Sequence, residues 1–541
     1  MSRSPPSKSR RSREIDMSAH VDAFVRDNLP PRDQWPELKF TLPELQFPEH
    51  YNACAILEEA IARAHGSRPA VFFSSTTITY ATLLEEACRI ARVLTQDFGL
   101  APGNRVLIHA SNTRHSIAVW WGVWRAGGVA VGTMPMLRAH EIAVIIDKAQ
   151  ITHAIADTER VAELEKAREI APVLKHIVAT DELARRMVEA PGDFPAIPTA
   201  ADDPALIAFT SGTTGEPKGC VHFHRDVAAM AETFSRHILR PKPTDVFIGT
   251  PPLAFTFGLG AGVVFPASAG AATVICPKPG FDVLAETIEK HKATTLFTSP
   301  TGYRALMKQD MSKLASLHTC VSAGEHLPKA TSDQWFERTG IRIIDGIGST
   351  EMIHIFISAR GGDIRPGSTG RPVPGYEATL LDENDLPFGG EGQGRLAIKG
   401  PTGCRYLADE RQKNYVVNGW NVTGDIYRRD ADGYYWYVSR ADDMIISAGY
   451  NIGAPEVENA LLTHDAVAEC AVVGAPDEER GQIVKAFVVL KPGASVDARA
   501  LQEHVKATVA PYKYPRAIEF VTELPKTHTG KLQRFKLRTP A

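Results

Sequence analysis

Short runs rich in Val and Ile alternate with segments of helical periodicity through much of this sequence, and that alternation leaves few folds open. VLIHA (Val106–Ala110) is followed by SIAVWWGVWRAG and then by GVAVG (Gly128–Gly132). LIAFT (Leu206–Thr210) leads into a glycine-rich loop, and TVIC (Thr273–Cys276) precedes FDVLAETIEKHKA. A strand that is apolar along its whole length must be covered on both faces. The pattern therefore predicts an α/β fold of parallel sheets covered by helices. Trp120, Trp121 and Trp124, on the early helical segment, read as packing rather than as a ligand cage.

After about Thr369 the pattern changes. Strand-like runs (ATLLD, GRLAIKG, YYWYVSR) follow one another closely with Gly/Asp turns, predicting a β-rich subdomain over about 369–441. From Asp442 a helix (PEVENALLTHDAV), a strand and turn (AECAVVGAPD), a strand (KAFVVLKPG) and a helix (RALQEHVKATV) make an α+β unit over 442–541. The larger unit is expected to span 17–441. Residues 1–16 are basic and Ser/Pro-rich without an apolar core, so they are expected to be a disordered tail, or an over-extended start ahead of Met17.

Composition removes several classes. Sixty basic and 63 acidic side chains give a net charge of −3, too balanced to attract nucleic acid. No apolar run reaches the roughly 18–20 residues of a membrane helix. The seven cysteines carry no CxxC pair, which points to reduced thiols and a cytoplasmic location.

Chemistry concentrates in TSGTTGEPKG, Thr210 to Gly219, at the end of LIAFT. Glycines let backbone N–H groups approach phosphate oxygens, hydroxyls add donors, and Lys218 supplies a point charge. It is not a Walker A loop, because the GxxxxGK[ST] spacing fails at Pro217.

On this string the sequence resembles the adenylate-forming superfamily of acyl- and aryl-CoA synthetases, luciferases and peptide-synthetase adenylation domains. The likeness runs from about Phe40 to the C-terminus, through SAGEHLP (Ser322–Pro328), DGIGSTE (Asp345–Glu351), NVTGD (Asn421–Asp425), SRADDMI (Ser439–Ile445) and LPKTHTGKLQR (Leu524–Arg534). The resemblance implies that Thr210, Ser211, Gly212, Thr213, Thr214, Gly215 and Lys218 hold the ATP β- and γ-phosphates. Gly324, Glu325, Asp345, Gly346, Ile347 and Gly348 would enclose adenine, with Asp345 on its amino group. Thr350 would meet a phosphate oxygen, Glu351 would bind Mg²⁺, Asp425 would take the ribose hydroxyls, and Arg440 would contact the ribose or a phosphate. Lys531 would meet the acid's carboxylate and the α-phosphate. The C-terminal domain is implied to be mobile and to pivot at Asp442. Gly449 and Tyr450 would line the path of coenzyme A.

The implied reaction is ATP-dependent formation of an acyl-adenylate, with release of pyrophosphate, then transfer of the acyl group to CoA. PPLAFTFGLG and STEMIHIFIS resemble benzoate-type CoA ligases, placing Phe255, Thr256, Phe257, Gly258, Ser322, Ala323, Gly348 and His354 around a small aromatic acid. Together with NLPPRDQWPEL (Asn28–Leu38), AFTFGLG is more similar to 2-aminobenzoate (anthranilate)–CoA ligases; benzoate or a hydroxybenzoate is the alternative acid. PYKYPR and Arg480 offer cations to the CoA phosphates. A stand-alone adenylation enzyme that loads a carrier protein is the competing class. The sequence stops at Ala541, shortly after Lys531, and no fused carrier domain is expected. The resemblance leaves room for a homodimer and implies neither a nucleic-acid nor a membrane partner.

Overall fold

The computed structural model describes residues 17–210, 216–276, 280–447, 450–477, 480–526 and 532–538. Ser211, Gly212, Thr213, Thr214, Gly215, Gly449 and Lys531 lie outside the described residues, as do residues 1–16, and of Asp442 only the backbone is described.

Two sheets dominate the first part of the chain. A six-stranded sheet has the order His176–Ala179, His153–Ala156, Arg105–His109, Val129–Gly132, Pro204–Thr210, Lys218–Phe223, parallel throughout except for its last pair. A nine-stranded sheet runs Arg371–Pro372, Ile355–Ser358, Ile344–Gly348, Thr319–Ser322, Thr295–Thr298, Val246–Gly249, Ala272–Ile275, Pro69–Phe73, Thr76–Thr79. Its centre is parallel and its edges are antiparallel.

The helix Ser116–Arg125 is buried at every residue, and one core cluster unites it with strands of both sheets. Burial on all sides explains why this helix carries apolar residues all round rather than a stripe. Trp120, Trp121 and Trp124 are its packing volume. The Trp124 indole donates to the Ala205 carbonyl at 2.9 Å, tying the helix to the strand that feeds the glycine-rich loop. Gly122 permits the close approach of the helix Tyr80–Arg92, since a Cβ there would stand 2.6 Å from Ile90 Cγ2.

A six-stranded antiparallel sheet follows, built on Glu377–Leu381, Gly392–Lys399, Trp420–Arg429 and Tyr435–Arg440. The last sheet has five strands, Tyr450–Ile452, Ile445–Ser447, Gly481–Leu490 and Val467–Asp477, with Ala517–Phe520 beside Gly481–Leu490. The helices Ala454–Leu462 and Ala498–Thr508 cover it and share its core. The stretch AECAVVGAPD does not end in a turn at Pro476: pairing continues to Asp477 opposite Gly481, making one long hairpin. Among the described residues, no helix is long and apolar enough to cross a membrane.

Candidate active site

Parallel strands deliver their carboxyl ends to one edge, where loops can converge without disturbing the sheet. Here that edge opens on a cleft of about 740 Å³. Lys218, Asp345, Gly346, Ile347, Gly348 and Glu351 line one wall, with Gly324 and Glu325 beside them. Asp425 and Arg440 line another, from the antiparallel sheet. Asn459, Lys526, Leu532 and Arg534 of the last unit complete it.

Thr210 and Lys218 face each other in register at the ends of their strands, so the two residues bracket the glycine-rich loop. The loop's exit is tied from outside. Lys148 donates to the Pro217 carbonyl at 3.1 Å and pairs with Asp409 at 2.6 Å. Arg411 donates to the Glu216 carbonyl at 3.1 Å and also grips Asp409. Burial opposes ionisation of Asp409, but these two cations outweigh it and hold its carboxyl far below the usual range.

Glu351 is 8% exposed and accepts the Tyr406 hydroxyl at 2.5 Å; Tyr406 in turn accepts from the Lys218 ammonium at 3.1 Å. The peptide just before Glu351 is anchored by His222, whose Nε2 lies 2.7 Å from the Thr350 carbonyl. His222 is fully buried. Burial opposes its charge, but Cys220 and Asp226 push its pKa up to about 9; its Nε2–H donates to the carbonyl. Asp226 closes the network on Arg405, and both are 0% exposed. Among the described residues, no group of three or more His, Cys, Asp or Glu could hold a metal ion by itself. One carboxylate facing an open cleft does suit Mg²⁺ that arrives on phosphate oxygens, because Mg²⁺ keeps most of its ligands as water and phosphate.

On the far wall His326 stacks on Tyr437 (5.3 Å, 28°) and meets Asn459 Nδ2 at 3.3 Å, joining the first and last units. Burial pushes the Asp345 carboxyl well up, and its Oδ1 is closed off without a hydrogen-bond partner. Asp425 and Arg440 sit opposite each other across two strands, with Arg440 Nη1 3.3 Å from Asp425 Oδ1. Gly424 has φ +77°, and a Cβ there would lie 3.0 Å from the Arg440 guanidinium, so glycine allows this pairing. Asp442 falls in the short turn Ala441–Asp443.

The aromatic string stands behind this cleft, not in its wall. Phe255 precedes the helix Thr256–Leu259, and Gly258 packs so tightly on the Pro252 carbonyl that no Cβ would fit. His354 is enclosed by Phe265 (4.6 Å), Phe234 (5.3 Å) and Phe257 (5.8 Å). Desolvation lowers its pKa to about 3, with the Phe257 backbone pulling weakly the other way, so the ring is neutral. The ring approaches the Phe257 backbone without reaching full hydrogen-bond geometry, so both nitrogens lack a well-formed partner, as does the fully buried Ser322 hydroxyl. Ala323 follows Ser322, also buried. Gly348 is the seam: a Cβ there would sit 2.8 Å from the His354 backbone, so the cleft floor and the aromatic cage share one peptide layer.

Tyr450 lies away from the cleft, exposed and stacked on Tyr512 (4.5 Å, 26°). Within PYKYPR, Lys513 is paired with Glu456 at 2.6 Å, while Arg516 lies over Tyr514.

Residues that the sequence did not single out hold the centre together: His222, Asp226, Arg405, Tyr406, Lys148, Asp409 and Arg411. Four of them, Arg405, Tyr406, Asp409 and Arg411, share one sequence signal, RYLADERQ, a dense polar string that otherwise passes for a solvated surface turn.

Residues 57–406 match the AMP-binding enzyme family, and residues 456–531 match the AMP-binding enzyme C-terminal domain. Benzoate–CoA ligase of Thauera aromatica is 36% identical over 515 residues, covering 92% of this chain and 98% of that protein. The crystal structure of an anthranilate CoA ligase in complex with anthranoyl-AMP superposes with a TM-score of 0.87 at 35% identity, covering 92% of this chain and 98% of that one. A benzoate CoA ligase from Burkholderia xenovorans LB400 superposes at 0.83 with 33% identity, over 90% of this chain and 100% of that one.

Proposed function

This chain belongs to the AMP-binding enzyme family, as an AMP-forming acid–CoA ligase of the aryl-CoA branch, and on that premise we propose that its acid is 2-aminobenzoate. One observation carries the choice. His354, enclosed by Phe234, Phe257 and Phe265, and the fully buried Ser322 both hold polar atoms without well-formed partners. A bare benzoate ring would leave those atoms unsatisfied, at a cost of about 1–3 kcal/mol each, whereas a ring amino group supplies N–H donors to them.

The cleft then divides by chemistry. Lys218 and the loop Thr210–Gly215 take the β- and γ-phosphates, Asp345 meets the adenine amino group, and Asp425 with Arg440 takes the ribose. Thr350 and Glu351 face the phosphates. Mg²⁺ bound there would supply positive charge to the departing pyrophosphate. A carboxylate oxygen of the acid attacks the α-phosphorus, and the bond to pyrophosphate breaks, with Lys531 offsetting the charge that accumulates. The CoA thiol then attacks the mixed anhydride, and AMP leaves. We place the pivot between these halves at Asp442, the pantetheine path at Gly449, and the CoA nucleotide near Tyr450.

Benzoate is the second reading, favoured by the likeness to the Thauera aromatica enzyme. The two separate in one assay. AMP release with CoA is expected to favour 2-aminobenzoate over benzoate by at least about tenfold in kcat/KM. Ser322→Ala is expected to shrink that ratio toward one by slowing 2-aminobenzoate alone. A wild-type preference for benzoate, or a ratio untouched in Ser322→Ala, contradicts the proposal. Acid-dependent ATP–pyrophosphate exchange without any thioester on CoA would instead favour a carrier-protein acceptor.

A further inference from the structure

Lys218 and Glu351 both reach the cleft, yet they form no direct ion pair. What separates them is one hydroxyl. A lysine ammonium can only donate, so the Tyr406 oxygen accepts from Lys218 at 3.1 Å, and its single proton goes to Glu351 Oε1 at 2.5 Å. The direction of the chain is fixed by this count of donors. Glu351 Oε2 accepts nothing from the described residues.

The phenol cannot swing away. Tyr406 is 0% exposed, packed with Cys220, Cys404 and Val416, and edge-on to Tyr415 at 5.9 Å. Its backbone bridges to Cys220, and its N–H donates to the buried Gln412 side chain at 2.9 Å. The Lys218 ammonium also lies 4.8 Å from the Tyr406 ring centre, so the ring face as well as the hydroxyl holds it in place. Arg405 and Asp409, on either side of Tyr406 in the chain, anchor the segment to Asp226 and Lys148.

We propose that Tyr406 is a positioning residue for the triphosphate: a rigid hydroxyl spacer that keeps the Lys218 ammonium and the Glu351 carboxylate from neutralising each other and holds both toward the phosphates of ATP. The proposal rests on the reading that ATP phosphates occupy this end of the cleft. Remove the hydroxyl, and the opposite charges close the gap left by one oxygen atom. The lysine is then lost to the phosphates, and the carboxylate is lost to any cation they carry. The far walls around Asp345, Asp425 and Arg440 are untouched, so a nucleotide without β- and γ-phosphates is not affected.

Tyr406→Phe keeps the ring and its packing and removes the oxygen alone. With full-length protein and no acid present, calorimetric titration is expected to show MgATP binding weakened about tenfold, the equivalent of one charge-assisted hydrogen bond. AMP binding should stay within about twofold, since no contact to the α-phosphate changes. In turnover, KM for ATP should rise while KM for the acid does not. Unchanged MgATP affinity, or equal losses for MgATP and AMP, overturns the proposal. Failure of the wild-type protein to form a thioester from any aromatic acid would overturn the ligase reading instead, and the comparison of ATP with AMP would still stand.

Discussion

Lys531→Ala is expected to lower acid-dependent ATP–pyrophosphate exchange by roughly 10²–10³-fold, the usual effect of losing one charge-stabilising group from a transition state. Thioester formation from supplied acyl-adenylate and CoA should stay within about twofold of wild type. The asymmetry follows from the chemistry of the two halves. In the first, a carboxylate approaches a triphosphate, and negative charge gathers at the α-phosphorus as pyrophosphate departs. In the second, a thiol attacks a carbonyl that AMP has already activated, and no such phosphorus centre forms. Lys526 and Leu532 pair with each other and line the cleft. Those two residues share the cleft lining with Lys218 and Glu351. Measuring the halves separately decides the matter. Equal losses in both would mean that Lys531 serves the fold or the acid, not the adenylation step.

The alternation of apolar runs and helical segments was legible because it reports burial, which is set locally along each strand and helix. The strands Arg105–His109, Val129–Gly132 and Pro204–Thr210, and the wholly buried helix Ser116–Arg125, lie where that pattern puts them. Asp345, Glu351, Asp425 and Arg440 were legible for another reason: each sits in a string whose residue types and order are shared with a known superfamily. The braces behind them were not. Arg405 meets Asp226 across 179 residues and Tyr406 meets Glu351 across 55, and no periodicity connects such pairs. A buried Arg–Asp pair also reads in sequence like any two surface charges, since burial is decided by the elements that fold over it. The polar atoms of His354 and Ser322 pose the same difficulty in sharper form. Sequence can place a histidine beside phenylalanines, but whether its nitrogens find partners depends on the three rings that enclose it.

Arg405→Ala should destabilise the folded protein by about 3–5 kcal/mol near neutral pH, the usual result of stripping one partner from a buried ion pair. Both side chains are 0% exposed, and the guanidinium packs against the contacting rings of Phe223 at 4.0 Å and Trp35 at 5.3 Å, so water cannot easily replace it. Burial opposes the Asp226 charge, and Arg405 first, then His222, hold its carboxyl below the usual range. In the wild type that group therefore adds stability above the ordinary carboxylate pKa, and the contribution is lost as pH falls through the depressed folded value. In Arg405→Ala the largest of the opposing charges is gone, leaving His222, Arg225 and the Phe223 amide against desolvation, and the carboxyl rises. Its penalty is felt at neutral pH and fades as acid protonates it. The stability gap between variant and wild type should therefore narrow as pH falls. Asp226 also accepts the Phe223 amide at 3.0 Å, so a neutral replacement must keep an oxygen. Arg405→Met with Asp226→Asn keeps it, fills the volume and removes both charges, and should recover more than half of the loss. A deficit that stays constant with pH, or a double variant no better than the single one, would mean that the arginine acts through its packing against Phe223 and Trp35 rather than through its charge. The same outcome would detach His222, and with it the Thr350 carbonyl, from any electrostatic dependence on Arg405.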